Sequence, residues 1–351
     1  MPNPLNAHGP SPGQKRLFQA AIVSLAALVV LAKLPPADEM LRVIHKTGHP
    51  LVFGLMALLL SHMSFHRVAL GLDSARSHYL KVIASIAALG ALTEIAQIPL
   101  NRGASVLDVF RDLGGASAVL CMVWVWRNWH DPHPVSRSRR TGVLVLGIAL
   151  ILISTSPLTW CIAAYVNRYQ QWPVVLQFGS PLDTYFLAHD PTGVETVRLP
   201  VEWAHHSGEM AAYAVATRNY TAGVRMTEPR ADWHEFDALA VDVTNPGDKP
   251  LGLIVRVHDK THNWETEDRY NGHSVVPPHT RMIERIPLSV IEAAPQGRKM
   301  DLRQIAGIAV FTENHSPQKV FLLSRFSLEK GPPPTAERTS ANDVSAPVSG
   351  R

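Results

Sequence analysis

Between Glu94 and Asp108 an acid, an amide, a guanidinium, a hydroxyl and a second acid fall in one short span: Glu94-Ile-Ala-Gln97, then Arg102-Gly-Ala-Ser105-Val-Leu-Asp108. Residues three apart share a helical face, so Glu94 stands beside Gln97 and Ser105 beside Asp108. The span closes one apolar segment and opens the next. A bilayer makes ionisable groups costly unless they pair, line a wet cavity or hold a ligand. Ser105 or Asp108 fits the N-cap of a following helix. Arg102 can pair bidentately with Glu94 or Asp108, or grip a ligand phosphate or carboxylate. A polar clasp between two helix ends, a ligand site and a catalytic site are all open readings. His49 with Glu94 and Asp108 has the donor types of a metal site, but the close-spaced motif that metal sites carry is missing, so neither metal nor cofactor is expected.

The elements that would position this cluster are long apolar runs in the first half of the chain. Segments 17–34, 49–65, 79–100, 114–129 and 141–165 are candidate spans. A hydrocarbon core of about 30 Å takes roughly 20 apolar residues, and about five spans are expected. Lys15-Arg16 ahead of the first run resembles the start of a signal peptide. Ala32-Lys33-Leu34-Pro35-Pro36 lacks a small-x-small cleavage site, so a retained helix is the expectation. Basic residues gather before the first span (Lys15, Arg16), in the second connection (Arg67, Arg76, Lys81) and in the fourth (Arg127, Arg137, Arg139, Arg140). The positive-inside rule then puts the N-terminus in the cytoplasm and everything after Tyr165 outside. The same alternation brings the Lys46/His49 and Arg102–Asp108 connections to the outer side.

The formal charge of +4 is accounted for by that orientation signal and by anionic headgroups, not by nucleic acid. Cys121 and Cys161 both fall inside candidate spans and form no CxxC pattern, so packed thiols are expected.

With Lys46-Thr-Gly-His49, Glu94-x-x-Gln97, Arg102-x-x-Ser105-x-x-Asp108 and Gly114-Gly115 in this order, residues 15–130 resemble the VanZ-like family of small bacterial membrane proteins. The resemblance adds Lys46 and Asp112 to the candidate polar membrane site of His49, Glu94, Gln97, Arg102, Ser105 and Asp108. Two positions depart from the pattern: Asp112 stands at the usual Asn, and His45 where an Asp often precedes the Lys. The family name comes from an association with glycopeptide-antibiotic resistance and implies no reaction.

Beyond Tyr165 the periodicity changes. Runs at 174–178, 238–243, 251–258, 281–287, 305–311 and 320–328 mix β-branched and aromatic residues, with turn clusters such as Asn245-Pro-Gly-Asp248 between them. An all-β antiparallel sandwich, or jelly roll, is expected. The segments Ala238–Asn245, Leu251–Asp259, Asp268-Arg-Tyr-Asn271 and Arg298–Ile305 resemble a galactose-binding-like or carbohydrate-binding-module sandwich. That resemblance implies glycan recognition. Trp264, Tyr270 and Trp233 would supply stacking faces, and Asp259, Asn263, Asp268 and Arg269 would bond sugar hydroxyls. Trp233 in the core and Tyr270 and Arg269 as loop anchors are the structural alternatives.

The expected organisation is a multi-domain chain: a cytoplasmic tail (1–14), a helical membrane domain (15–130), a basic cytoplasmic connection (131–141), a fifth span (142–166), an extracytoplasmic sandwich (171–330) and a disordered tail (331–351). Two functions follow. One is a non-catalytic, multi-pass protein of the bacterial inner membrane whose partners are the bilayer and an envelope glycan or protein. The other is a membrane enzyme acting on a lipid-linked or cell-wall precursor through Glu94, Arg102 and Asp108. A transporter is disfavoured by the lack of an inverted repeat.

Overall fold

The computed structural model describes residues 10–31, 38–100, 105–129, 135–188, 194–215, 223–331 and 337–340. It divides into two compact units, the boundary falling between Ile162 and Ala163, inside a helix.

The first unit is helical: α1 (Pro12–Leu31), α2 (Glu39–Ser64), the short α3 (His66–Ala69), α4 (Ala75–Gln97), α5 (Val106–Trp129) and most of α6 (Arg137–Gln170). Small polar residues start them. Asp38 accepts from the Leu41 amide, Ser74 from Ser77, Ser105 from Asp108 at 3.3 Å and Ser136 from Arg139, each satisfying an amide that the first turn leaves without a partner. Of the two N-caps expected for α5, Ser105 is the one used.

The helices alternate in direction. Ser61 and Ser64 near the end of α2 hold the His78 ring near the start of α4 at 3.2 and 3.3 Å, so these two run antiparallel. α5 runs alongside α2 in the same direction: Pro50 meets Gly115 at one end and Phe65 lies under the Arg127 guanidinium, 3.5 Å away, at the other. α6 returns against α5, Ser154 donating to the Arg111 carbonyl and Arg139 and Arg140 covering Trp124 and Trp129. Phe18 of α1 touches His62, and Gln97 donates to the Val29 carbonyl.

Four helices are long and apolar enough to cross a membrane by length and composition: α1, α2 with its extension to Val68, α4 and α6. About five were expected. α5 is the exception because Asp108, Arg111, Asp112 and Arg127 occupy its two ends. α6 begins at Arg137, within the basic stretch 131–141, where arginine is a good helix former and the Arg139 and Arg140 guanidiniums lie over Trp124 and Trp129.

The second unit opens with the last turns of α6 and is a sandwich of two antiparallel sheets. The strands are β1 (Val174–Leu176), β2 (Glu195–Arg198), β3 (Met210–Val215), β4 (Gly223–Met226), β5 (Ala238–Asn245), β6 (Leu251–Asp259), β7 (Tyr270–Val276), β8 (Thr280–Pro287), β9 (Ile305–Thr312), β10 (Val320–Glu329) and β11 (Glu337–Ser340). The larger sheet has the order β11-β8-β5-β10-β3-β2, with β1 also on β10; the smaller is β4-β9-β6-β7. A helix, α7 (Leu288–Glu292), follows β8. The shared core holds Trp233, Leu239, Leu253, Phe321 and Phe326, all fully buried, with Ala164 and Tyr165 of α6 packed into it. Residues Glu337–Ser340, within the C-terminal stretch 331–351, form β11 at the edge of the larger sheet, paired with β8.

Candidate functional site

In the helical unit the polar cluster is partly assembled. Glu94 and Gln97 are both buried on α4. Oε2 of Glu94 accepts from the Ser105 amide at 2.8 Å, joining the end of α4 to the start of α5. Asp108 is taken by Arg111 at 2.7 Å, one turn on. Asp112 is 1 % exposed, and among the described residues neither of its carboxylate oxygens has a hydrogen-bond partner; the buried Thr47 hydroxyl is likewise unpartnered. Its charged neighbours are Asp108, Glu94 and Arg111. His49 stacks edge-on against His45 with ring centroids 5.2 Å apart. Lys46 is exposed on α2. Arg102 lies outside the described residues. Among the described residues the arrangement joins α4 to α5, with the Asp112 carboxylate without a hydrogen-bond partner.

In the sandwich the expected sugar-binding residues separate into three groups. Asp259 and Asp268 do not offer free oxygens. Arg298 takes both oxygens of Asp259 at 2.6 and 2.9 Å, and its Nε donates to Asp268. The Asp301 amide and the Thr261 hydroxyl add to Asp259, and the Asn263 amide to Asp268. Burial pushes the Asp259 carboxyl up, but these donors outweigh it and hold it below the usual range. The Arg298 and Asn263 donors hold Asp268 at about 2. These acids build a clasp that fixes the loop after β6. Arg298, the residue that decides this, stands in a segment that the sequence reading used only for the sandwich resemblance, and its pairing with acids 30 and 39 residues away is not a local signal.

Tyr270 also departs from the expectation. The pairing of β7 with β6 puts Asn271 and His273 on the face of Arg256 and Ile254, so Tyr270 points between the sheets. It is half-buried against the core, and burial raises its phenol. Trp233 is fully buried, its Nε1 donating to the Arg230 carbonyl.

The third group faces outward. Trp264 is 82 % exposed and its backbone sits at φ 74°. A bulky side chain at positive φ is uncommon and costs on the order of 1–3 kcal/mol, so the surrounding structure must hold it there. Asn263 does so on both sides, its amide bonded to Asp268 and its Oδ1 accepting from the Glu265 amide. The Trp264 ring lies 5.6 Å from His262 and 6.3 Å from His258.

From Trp264 this surface continues over the outer face of the smaller sheet. Along β6, Leu253, Val255 and Val257 point inward, leaving Ile254, Arg256 and His258 outside. The His258 imidazole lies across Gly307 of β9, where a Cβ would stand 2.3 Å from Nε2. Burial lowers the His258 imidazole. Arg256 lies over the Phe311 ring at 4.6 Å and donates to Asn271 at 3.1 Å. Arg225 on β4 and Arg269 beside β7 flank it, and His273 bonds Glu313 at 2.7 Å. The sequence reading named Trp264 and Arg269 here but missed Arg256, His258, Asn271 and Phe311. The alternation of Leu251–Asp259 carried the signal for two of them.

No family model matches the chain, and no curated protein matches it either. The VanZ-like resemblance thus rests on its motif residues alone. Among solved structures, similarity extends to the family 11 carbohydrate-binding module from Clostridium thermocellum in complex with a β-1,3-1,4-mixed-linked tetrasaccharide, at 13% identity and TM-score 0.32, covering 42% of this chain and 90% of that one. The family 11 module of the cellulosomal cellulase Lic26A-Cel5E of Clostridium thermocellum gives 14% identity and TM-score 0.33 over 45% of this chain and 94% of that one. An exo-β-agarase gives 13% identity and TM-score 0.36 over 46% of this chain and 25% of its own.

Proposed function

We propose that this chain is a membrane-anchored carbohydrate-binding protein of the bacterial envelope, with the smaller sheet of its sandwich as the binding face. The observation that carries the reading is Trp264: an indole held almost fully in solvent at a strained backbone position, beside a face of aromatic rings and hydrogen-bonding groups. An exposed aromatic plane beside a few fixed polar groups is what recognition of a ring with an apolar face and hydroxyl edges requires.

The anchor follows from the helix directions. α5 runs from end to end beside α2 and α4, both long enough to cross a bilayer, so it crosses with them despite its charged ends. This supports five crossings. Phe18, Phe65, Arg127 and Arg139 gather at one end of the bundle with the basic residues, which favours that end as cytoplasmic and the sandwich as extracytoplasmic. The alternative, a membrane enzyme acting through Glu94, Arg102 and Asp108, is weaker: Glu94 bonds the α5 amide and Asp108 bonds Arg111.

The test is retention of the intact protein, in detergent micelles, on a panel of immobilised polysaccharides. Trp264→Ala should cut retention about tenfold or more with unchanged melting, the loss expected for a central aromatic contact. Retention equal to the parent's on every polymer that the parent binds would sink the reading.

A further inference from the structure

The binding face carries more positive charge than a neutral sugar needs. Arg256 stands between Arg225 and Arg269 on the outer side of the smaller sheet. Its Nε is given to the neutral Asn271, and Phe311 backs its guanidinium. Arg269 donates to the Thr266 hydroxyl, and its Nε is buried with no hydrogen-bond partner. Among the described residues, no carboxylate lies within ion-pairing distance of Arg256 or Arg269. The acids nearby are otherwise placed: Asp259 and Asp268 hold Arg298, Glu313 holds His273, and Glu265 and Glu267 are exposed in the loop.

Arg256 and Arg269, half-buried and close together, repel one another, whereas two other arginines of this sandwich are paired with acids. Arg281 has Asp242 and Glu209, and Arg285 has Glu329. Here burial and the two neighbouring guanidiniums lower Arg256 to about 10. A bound anion removes that cost, and the planar fork of arginine fits a carboxylate with two parallel hydrogen bonds.

Building on the carbohydrate reading, we infer that the face takes an acidic polysaccharide, a polyuronate whose carboxylates dock between Arg256 and Arg269 while a sugar ring stacks on Trp264. The opposite sheet presents Arg325 as an exposed control position.

The experiment is affinity electrophoresis of the intact protein in detergent, in gels containing polygalacturonate, the same polymer with its carboxyls reduced to alcohols, or dextran sulfate. Polygalacturonate should retard the parent about tenfold more than the reduced polymer, and Arg256→Gln and Arg269→Gln should each lose about tenfold, the value of a charged hydrogen bond. Arg256→Lys should recover part of that loss, and Arg325→Gln should behave as the parent. Equal retention on the reduced polymer, still lost in Trp264→Ala, would overturn the acidic preference and leave carbohydrate binding standing. Equal retention on dextran sulfate, indifferent to Trp264→Ala, would mean plain ion exchange and overturn it too. Retention on none of the polymers, or on no carbohydrate through Trp264, would overturn both.

Discussion

Replacing Arg298 with methionine should strand Asp259, the most deeply buried member of the clasp beneath the Trp264 loop. The Asp259 side chain is fully enclosed, and Arg298 supplies two of its four hydrogen bonds and all of its countercharge. Removing one partner of a buried pair costs about 3–5 kcal/mol. The Asp301 amide and the Thr261 hydroxyl stay in place, which points to the lower end, about 3 kcal/mol. For a domain of this size each kcal/mol moves the melting temperature by about 2–4 °C, so a fall of roughly 6–12 °C is expected. Differential scanning fluorimetry of the detergent-solubilised protein, following the sandwich transition, is the assay. Asp259→Asn in the Arg298→Met background removes the stranded charge and should regain at least half of the loss. A fall under about 2 °C, or a double variant that melts lower than the single one, would refute the clasp and return Asp259 to the pool of ligand groups.

Acid should unfold the sandwich before it affects much else. In Glu209, burial raises the carboxyl but the Arg281 and His205 donors outweigh it; Asp259 follows the same pattern, and Asp268 is held at about 2. Carboxyls depressed in the fold contribute stability that is complete above their unfolded values near 4 and is lost as pH falls toward the folded ones, so the main drop in melting should lie between about pH 4 and 2, after an earlier loss below about pH 6.5 from the buried His258, whose imidazole is lowered. Glu284, raised by burial, works the other way, so a melting temperature that climbs on acidification would contradict the balance drawn here. Gly115→Ala should lower the membrane abundance of the protein, because its Cβ would stand 2.3 Å from the Pro50 carbonyl oxygen and force α2 and α5 apart at about 1–3 kcal/mol. Gly48→Ala, with open space around it, is the matched control and should leave abundance unchanged. Reporter fusions after Arg140 should read cytoplasmic and fusions after Gln171 extracytoplasmic; a cytoplasmic signal from the second would mean that α5 does not cross.

Much of this architecture is legible in the sequence because apolar runs and N-cap residues are local signals. Ser105 marks the start of α5 through a bond to a residue three positions away. Strands β5, β6, β8, β9 and β10 alternate or run apolar and announce themselves. β7 does not: Gly272, His273 and Ser274 interrupt any alternation, and β2 and β4 are four residues each, too short to show one. The site was harder. Trp264 was named beside Tyr270 and Trp233 as a stacking face that the resemblance implied, but Tyr270 depends on the register of β7, where a one-residue slip exchanges the faces. Asp259 and Asp268 look like ligand groups until Arg298 is folded against them, and that contact spans 39 residues. The positive character of the face has the same origin. Arg225 and Arg256 come from separate strands and Arg269 from the residue before a third, and only the order β4-β9-β6-β7 brings them together.

Hydroxyl-radical footprinting of the intact protein, with and without the polysaccharide that retains it best, tests the central claim most directly. Trp264 is exposed and should be among the most readily oxidised side chains, with Phe311 also labelled. Bound glycan should protect Trp264 and Phe311 severalfold and leave Trp160 of α6 and Tyr213 of the larger sheet unchanged. Protection confined to the larger sheet or the helices, with Trp264 as reactive as before, would contradict the assignment of this face.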